Sequence, residues 1–168
     1  METNAIAFIG LCHEFCSTME SAREAEREDF IDSMLKLLPR IYISASDINP
    51  DLYLDQETYM DQALDEDYYD AIRRNAEALL GPDDVYLEVF EEDMKYSDTP
   101  VAASISEGLT DLFQQFYNLL ATVKDAPDDT VNMALQSAAE DFRGYWSQTL
   151  CNTLRALNHL KYDNGSTC

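Results

Sequence analysis

An all-α fold is what this chain predicts, on three observations. Apolar residues recur at spacings of 3, 4 and 7 in five separate stretches, as on one face of a helix. Five glycines and five prolines in 168 residues are too few for a many-turned β architecture. Good helix formers dominate the remainder. A single domain spanning residues 1–162 is expected, with five main helices packed as a bundle or orthogonally. Residues 163–168 should form a frayed tail.

The elements follow in order. Ala5, Phe8, Ile9, Cys12, Phe15, Cys16 and Met19 form the stripe of a first helix. After a polar stretch, Phe30, Ile31, Met34, Leu38, Ile41 and Ala45 mark a second, which Pro39 should kink or split by removing a backbone donor. The stretch from Asp47 to Asp55 contains Asn49-Pro50 and reads as a loop. Leu64, Tyr68, Ile72, Ala76 and Leu79 define a third helix, stopped by Gly81-Pro82. From Gly81 to Asp98 the chain reads as an irregular crossover packed along the side of the helices, in which Val85 to Phe90 suits a short strand or an ordered connection. Thr99 as N-cap with Pro100 at the first helical position opens a fourth helix through Ile105, Leu109, Leu112, Phe116, Leu119 and Val123. The fifth and longest carries Val131, Leu135, Ala138, Phe142, Trp146, Thr149, Thr153, Ala156 and Leu160, with Gly144 opposite that stripe.

Charge is unevenly placed. Of 33 acidic residues, 17 lie between Asp47 and Asp98, against three basic ones (Arg73, Arg74 and Lys95), so this stretch carries −14 of a formal net charge of −22. Such a field repels polyanions, which argues against direct binding of nucleic acid or of an anionic membrane. It favours a basic partner. No apolar run is long enough to span a bilayer, and no basic leader precedes one. Cys12 and Cys16, four residues apart on an apolar face, read as reduced core residues, and the expected compartment is cytoplasmic.

Catalytic and metal motifs are weak. The glycines at 10, 81, 108, 144 and 165 permit no phosphate-cradling loop. The acids between Asp47 and Asp55 resemble the start of a calcium loop, but Leu52 replaces the turn glycine and Thr58 the closing acid. His13-Glu14 beside Cys12 and Cys16 suggests a zinc helix, yet Glu14 points away from the cysteine face. Neither His13 nor His159 has a glutamate three residues before it, as a dimetal bundle needs. No catalytic residue, metal or cofactor is assigned. The aromatic residues Tyr86, Phe90, Phe113, Phe116, Tyr117, Phe142, Tyr145 and Trp146 are mostly at core spacing. The surface singled out for interaction is Tyr86, Glu88, Phe90, Asp93, Lys95 and Tyr96, where aromatic and charged residues mix in an irregular segment; covering a helix is its alternative role.

Several stretches resemble the bacterial domain-of-unknown-function family DUF5063. They are Ala71-Ile72-Arg73-Arg74 with Leu79-Leu80-Gly81, Asp84-Val85-Tyr86-Leu87-Glu88-Val89-Phe90 and Asp93-Met94-Lys95-Tyr96-Ser97-Asp98. Pro100-Val101-Ala102-Ala103-Ser104-Ile105-Ser106-Glu107 and Tyr145-Trp146 with Leu154-Arg155-Ala156-Leu157 continue the resemblance, which spans Tyr69 to Leu160. Where that family favours glycine after the tryptophan and histidine after the last leucine, this chain has Ser147 and Asn158, with His159 one step on. The resemblance implies an all-α cytosolic protein and supplies no activity.

The leading functional expectation is a non-catalytic binding or adaptor domain that offers its acidic side to a basic protein. A nucleic-acid mimic, with rows of carboxylates standing in for phosphates, is one alternative. An enzyme of unrecognised type is another, and it requires a pocket that joins buried acids to His13 or His159.

Overall fold

The computed structural model describes residues 3–49, 60–88 and 101–163, apart from the side chains of Glu88 and Val101. Its architecture is all-α. The helices are α1 (Thr3–Glu20), α2 (Arg27–Ser46), α3 (Glu66–Leu80), α4 (Ile105–Val123), α5 (Asp128–Asp141) and α6 (Ser147–Tyr162). One small antiparallel pair, β1 (Val85–Glu88) and β2 (Val101–Ser104), accompanies them, with Val85 opposite Ser104 and Tyr86 opposite Ala103. Helix α4 is central and packs against α1, α3, α5 and α6, while α2 closes the body against α1 and α6. Among the described residues, no helix is long and apolar enough to cross a membrane.

The first two helices follow their apolar spacing closely. Ala5, Phe8, Cys12, Phe15, Cys16 and Met19 are all buried on α1, and Phe30, Ile31, Met34, Leu38, Ile41 and Ala45 on α2. Cys12 and Cys16 are free thiols, and burial pushes both well above the ordinary thiol range. Pro39 lies within α2, which runs unbroken past it. Helix α3 begins one turn later than its stripe suggests. The Asp65 carboxylate accepts from the Tyr68 N–H as N-cap, and Leu64 precedes the helix. The chain ahead of it is pinned by Asn118, whose Oδ1 accepts from the N–H groups of Ala63 and Leu64 at 3.0 Å each. Gly81 ends α3 with φ +61°, a conformation that favours glycine.

Two expectations are corrected. Helix α4 starts at Ile105 instead of following Thr99, because residues 101–104 are extended and paired with β1. The capping signal that operates is Ser104-Ile105-Ser106-Glu107, where Ser104 Oγ accepts from the Glu107 N–H at 3.1 Å. Thr99 and Pro100 lie outside the described residues, as do residues 50–59 of the supposed calcium loop. The long last helix is also interrupted. A π-helical turn, Phe142–Trp146, joins α5 to α6, and the Ser147 N–H bonds back to the Phe142 carbonyl. The apolar positions Ala138, Phe142, Trp146 and Leu150 advance by three successive steps of four. On a straight helix of 3.6 residues per turn that would carry the stripe roughly 120° around the axis. The wider turn absorbs the drift, so all four residues stay buried.

Asp84 holds the β pair to the start of α4. It closes the 3₁₀ turn Gly81–Asp84, and the β1–β2 register brings it beside residues 104–106. Its Oδ1 accepts from the Ser106 N–H at 2.7 Å, and its Oδ2 accepts from the hydroxyls of Ser106 (2.7 Å) and Ser104 (3.0 Å). Among the described residues it is the only buried Asp, Glu, Lys or Arg. A carboxylate here satisfies amide and hydroxyl donors that water cannot reach, at the positive end of a helix.

Candidate functional site

Alternation along β1 sends Val85 and Leu87 to solvent, 63% and 56% exposed, and turns Tyr86 inward, half-buried. Tyr86 thereby becomes one wall of a groove of about 380 Å³ between the β pair, the first two turns of α4, the π turn and α6. Glu107, Gly108 and Asp111 supply the α4 side, Tyr145 the π turn, and Gln148, Asn152 and Thr153 the α6 side. Among the described residues, the only charged ones that line it are the two carboxylates, and no Lys, Arg or His reaches it.

The groove exists because two helices approach closely. A Cβ on Gly108 would lie 2.4 Å from Thr153 Oγ1, so only glycine lets α4 rest on the threonine. Substituting Gly108→Ala is expected to destabilise by about 1 kcal/mol, since overpacking outweighs the gain in helix propensity. A double variant with Thr153→Ala should recover most of the loss, read as the coupling in a thermal-denaturation mutant cycle.

Asp111 is oriented and strained electrostatically. Tyr69 on α3 donates its hydroxyl to Oδ1 at 2.6 Å. Among the described residues, Oδ2 has no hydrogen-bond partner. Burial first, and then the charge of Glu107, raise the Asp111 carboxyl above its ordinary value, while the Tyr69 bond pulls the other way. The same burial and the neighbouring carboxylates raise the phenols of Tyr69 and Tyr145. An added cation would relieve each of these shifts.

An anion finds nothing comparable. Two first-turn amides of α4 are already engaged, Ser106 N–H by Asp84 and Glu107 N–H by Ser104. Thr153 lies beneath the groove, fully buried, with its Oγ1 closed to solvent against Gly108 and without a hydrogen-bond partner among the described residues. The contrast with its neighbours is clear: Thr18, Thr110 and Thr122 each donate to the carbonyl four residues back.

The chain belongs to the DUF5063 family, a domain of unknown function, whose match covers residues 1–163. That is wider than the Tyr69 to Leu160 span on which the resemblance rests. The crystal structure of protein BF1032 from Bacteroides fragilis has the same fold. It is 30% identical with a TM-score of 0.82, over 96% of this chain and 94% of that one. No curated protein matches. Three of the stretches that carry the family resemblance meet at the groove: those containing Tyr86, Ser104 with Glu107, and Tyr145.

Of the surface singled out from sequence, Tyr86 lines the groove. The side chain of Glu88, and all of Phe90, Asp93, Lys95 and Tyr96, lie outside the described residues. Tyr145, expected in the core, is instead 53% exposed at the groove, and Thr149 lines it while Leu150 takes the buried position. Both follow from the π turn, which rotates α6 relative to a continuous helix. Glu107, Asp111, Gln148, Asn152 and Thr153 were not visible as a set, because each reads separately as a solvated face or a core stripe. His13 and His159 are exposed, His159 bonding Asp163 at 2.7 Å, and neither lines the groove.

Proposed function

We propose that residues 1–162 form one non-catalytic binding domain that receives a basic segment of a protein partner at the groove lined by Tyr86, Asp111 and Tyr145. The observation that carries this reading is the groove's charge: among the described residues its only acidic or basic lining groups are Glu107 and Asp111, and the Ser106 and Glu107 amides of α4 are engaged. The overall charge of −22 adds long-range attraction for a basic chain. Apart from Asp84, the described carboxylates are at the surface, where they steer a partner without forming a reaction centre. The mimicry alternative draws no support from their placement, since acids occur on five of the six helices and form no single row along one element.

The test is a titration of the folded chain with an unstructured Lys/Arg-rich peptide of about 15 residues, long enough to cross the groove and its surroundings. Binding is expected at ~0.05 M salt and should weaken sharply by ~0.5 M, where charges are screened over a few ångströms. A Glu107→Lys/Asp111→Lys variant should lose most of it. Equal binding of an acidic peptide, or indifference to the double variant, would remove the groove from the interface.

A further inference from the structure

A second surface has the opposite character. We infer that the groove between α2 and α6 receives a short extended segment of a partner protein in which apolar residues stand beside carboxylates. Its setting is a break in the charge of the chain. Residues 33–46 and 142–162 hold five of the 11 Lys and Arg (Lys36, Arg40, Arg143, Arg155 and Lys161) and none of the 33 Asp and Glu. These two runs cover most of α2 and all of α6, and the two helices pack against each other. Between them lies an open groove of about 480 Å³. Leu35, Pro39 and Leu154 give it half-buried apolar walls, while Cys151, Arg155, Asn158 and Tyr162 line it as exposed residues. Among the described residues Arg155 has no ion-pair partner, whereas the acids next to the end of α6 are occupied, Asp32 by Lys161 at 2.6 Å and Asp163 by His159 at 2.7 Å.

The chemistry of the occupant follows from that lining. Apolar walls with a free guanidinium at the edge suit a group that carries both hydrocarbon and negative charge. At ~0.15 M salt the field of the remaining acids is screened beyond about 8 Å, so the local sign at Arg155 governs. Two observations favour a peptide over a hydrocarbon carboxylate. Pro39 has no N–H, so α2 cannot give the Leu35 carbonyl the donor four residues on that an ordinary helix supplies. Both residues line the groove, where a backbone N–H of the occupant supplies one. On the facing wall Asn158 offers an amide donor and an acceptor, as an extended backbone requires. A hydrocarbon tail uses neither. From Cys151 to Tyr162 the lined face of α6 is roughly 16 Å long, the span of about five extended residues.

The test uses the full chain carrying Cys168→Ser, so that Cys151 is the thiol open to alkylation while Cys12 and Cys16 are buried. The probe is the peptide Gly-Glu-Leu-Phe-Glu-Gly, compared with Gly-Lys-Leu-Phe-Lys-Gly, Gly-Glu-Ser-Ser-Glu-Gly and octanoate. It is expected to bind on the order of tenfold tighter than each of the three, and to slow modification of Cys151 by N-ethylmaleimide as it saturates. Arg155→Glu, at an exposed position, should weaken binding on the order of tenfold with an unchanged Tm. The Glu107→Lys/Asp111→Lys variant should not weaken it, because those residues line a different groove.

Equal binding of the serine peptide would overturn the apolar groove in favour of a diffuse basic surface, and equal binding of the lysine peptide would overturn the charge argument. Octanoate binding as tightly as the probe would replace the partner segment with a free anionic amphiphile. Self-association of the chain that Arg155→Glu abolishes, without peptide binding, would make the occupant a second copy. No binding by any probe, with Cys151 equally reactive throughout, would remove the site.

Discussion

Trp146→Ala should lower stability by about 3–5 kcal/mol, the largest single loss expected in this protein. The indole is 1% exposed at the end of the π turn, where four elements meet. Its ring stacks near Phe8 of α1 (6.3 Å between centroids), meets Phe116 of α4 edge-on at 5.2 Å, and contacts Phe142 at 4.7 Å. Its Nε1–H donates to the Ala138 carbonyl at 3.2 Å, tying the far side of the turn to α5. Truncation therefore removes transfer energy, leaves a cavity, and strands a second role that a smaller aromatic only partly fills. Trp146→Phe should recover the packing and lose the hydrogen bond, costing about 1–2 kcal/mol. Chemical denaturation of both variants checks the pair. Near-equal losses would mean that the hydrogen bond, and not the aromatic cluster, fixes the turn.

Asp84→Ala is expected to cost about 2–4 kcal/mol, although the side chain is a single carboxylate in a chain with 33 acids. Removing it leaves the Ser106 N–H and two hydroxyls without their acceptor, in a place closed to water, and takes a negative charge from the start of α4. Asp84→Asn keeps an acceptor for the Ser106 amide and should cost roughly half as much. The expected mode of failure is local. The β pair and the first turn of α4 should lose amide protection in hydrogen exchange before α1 and α2 do. Uniform loss across all helices would show that Asp84 supports the whole body instead of this junction. Because Tyr86 and Glu107 flank that junction, ligand binding should weaken in parallel.

The helical body was legible because its cause is local. Strict 3-and-4 spacing places Phe8, Cys12, Phe15 and Met19 on one face of α1 whatever lies opposite, and the same holds for Phe30 to Ala45 on α2. The start of α4 was misread for the converse reason. Thr99-Pro100 and Ser104-x-x-Glu107 are comparable capping signals, and strand pairing across the intervening residues, a non-local event, selects the second. The π turn left a trace in the three consecutive four-residue steps from Ala138 to Leu150, which a straight helix cannot keep buried. The groove was half visible. Tyr86 stood out as an aromatic in an irregular segment, but Thr149 and Thr153 looked like minor polar members of an apolar stripe. Their hydroxyls at a core spacing, with a glycine on the helix they face, were the available signal. Charge alone pointed to the stretch from Asp47 to Asp98, whereas the two carboxylates that line the groove, Glu107 and Asp111, follow it in sequence.

The most direct measurement is a backbone amide NMR titration of the folded chain with the unstructured Lys/Arg-rich peptide of about 15 residues. The account predicts saturable shift changes concentrated at residues 102–111 and 144–153, and their disappearance in Asp111→Asn. Changes spread along the exposed acids of α3, persisting in that variant, would contradict it and place recognition on the diffuse acidic surface instead.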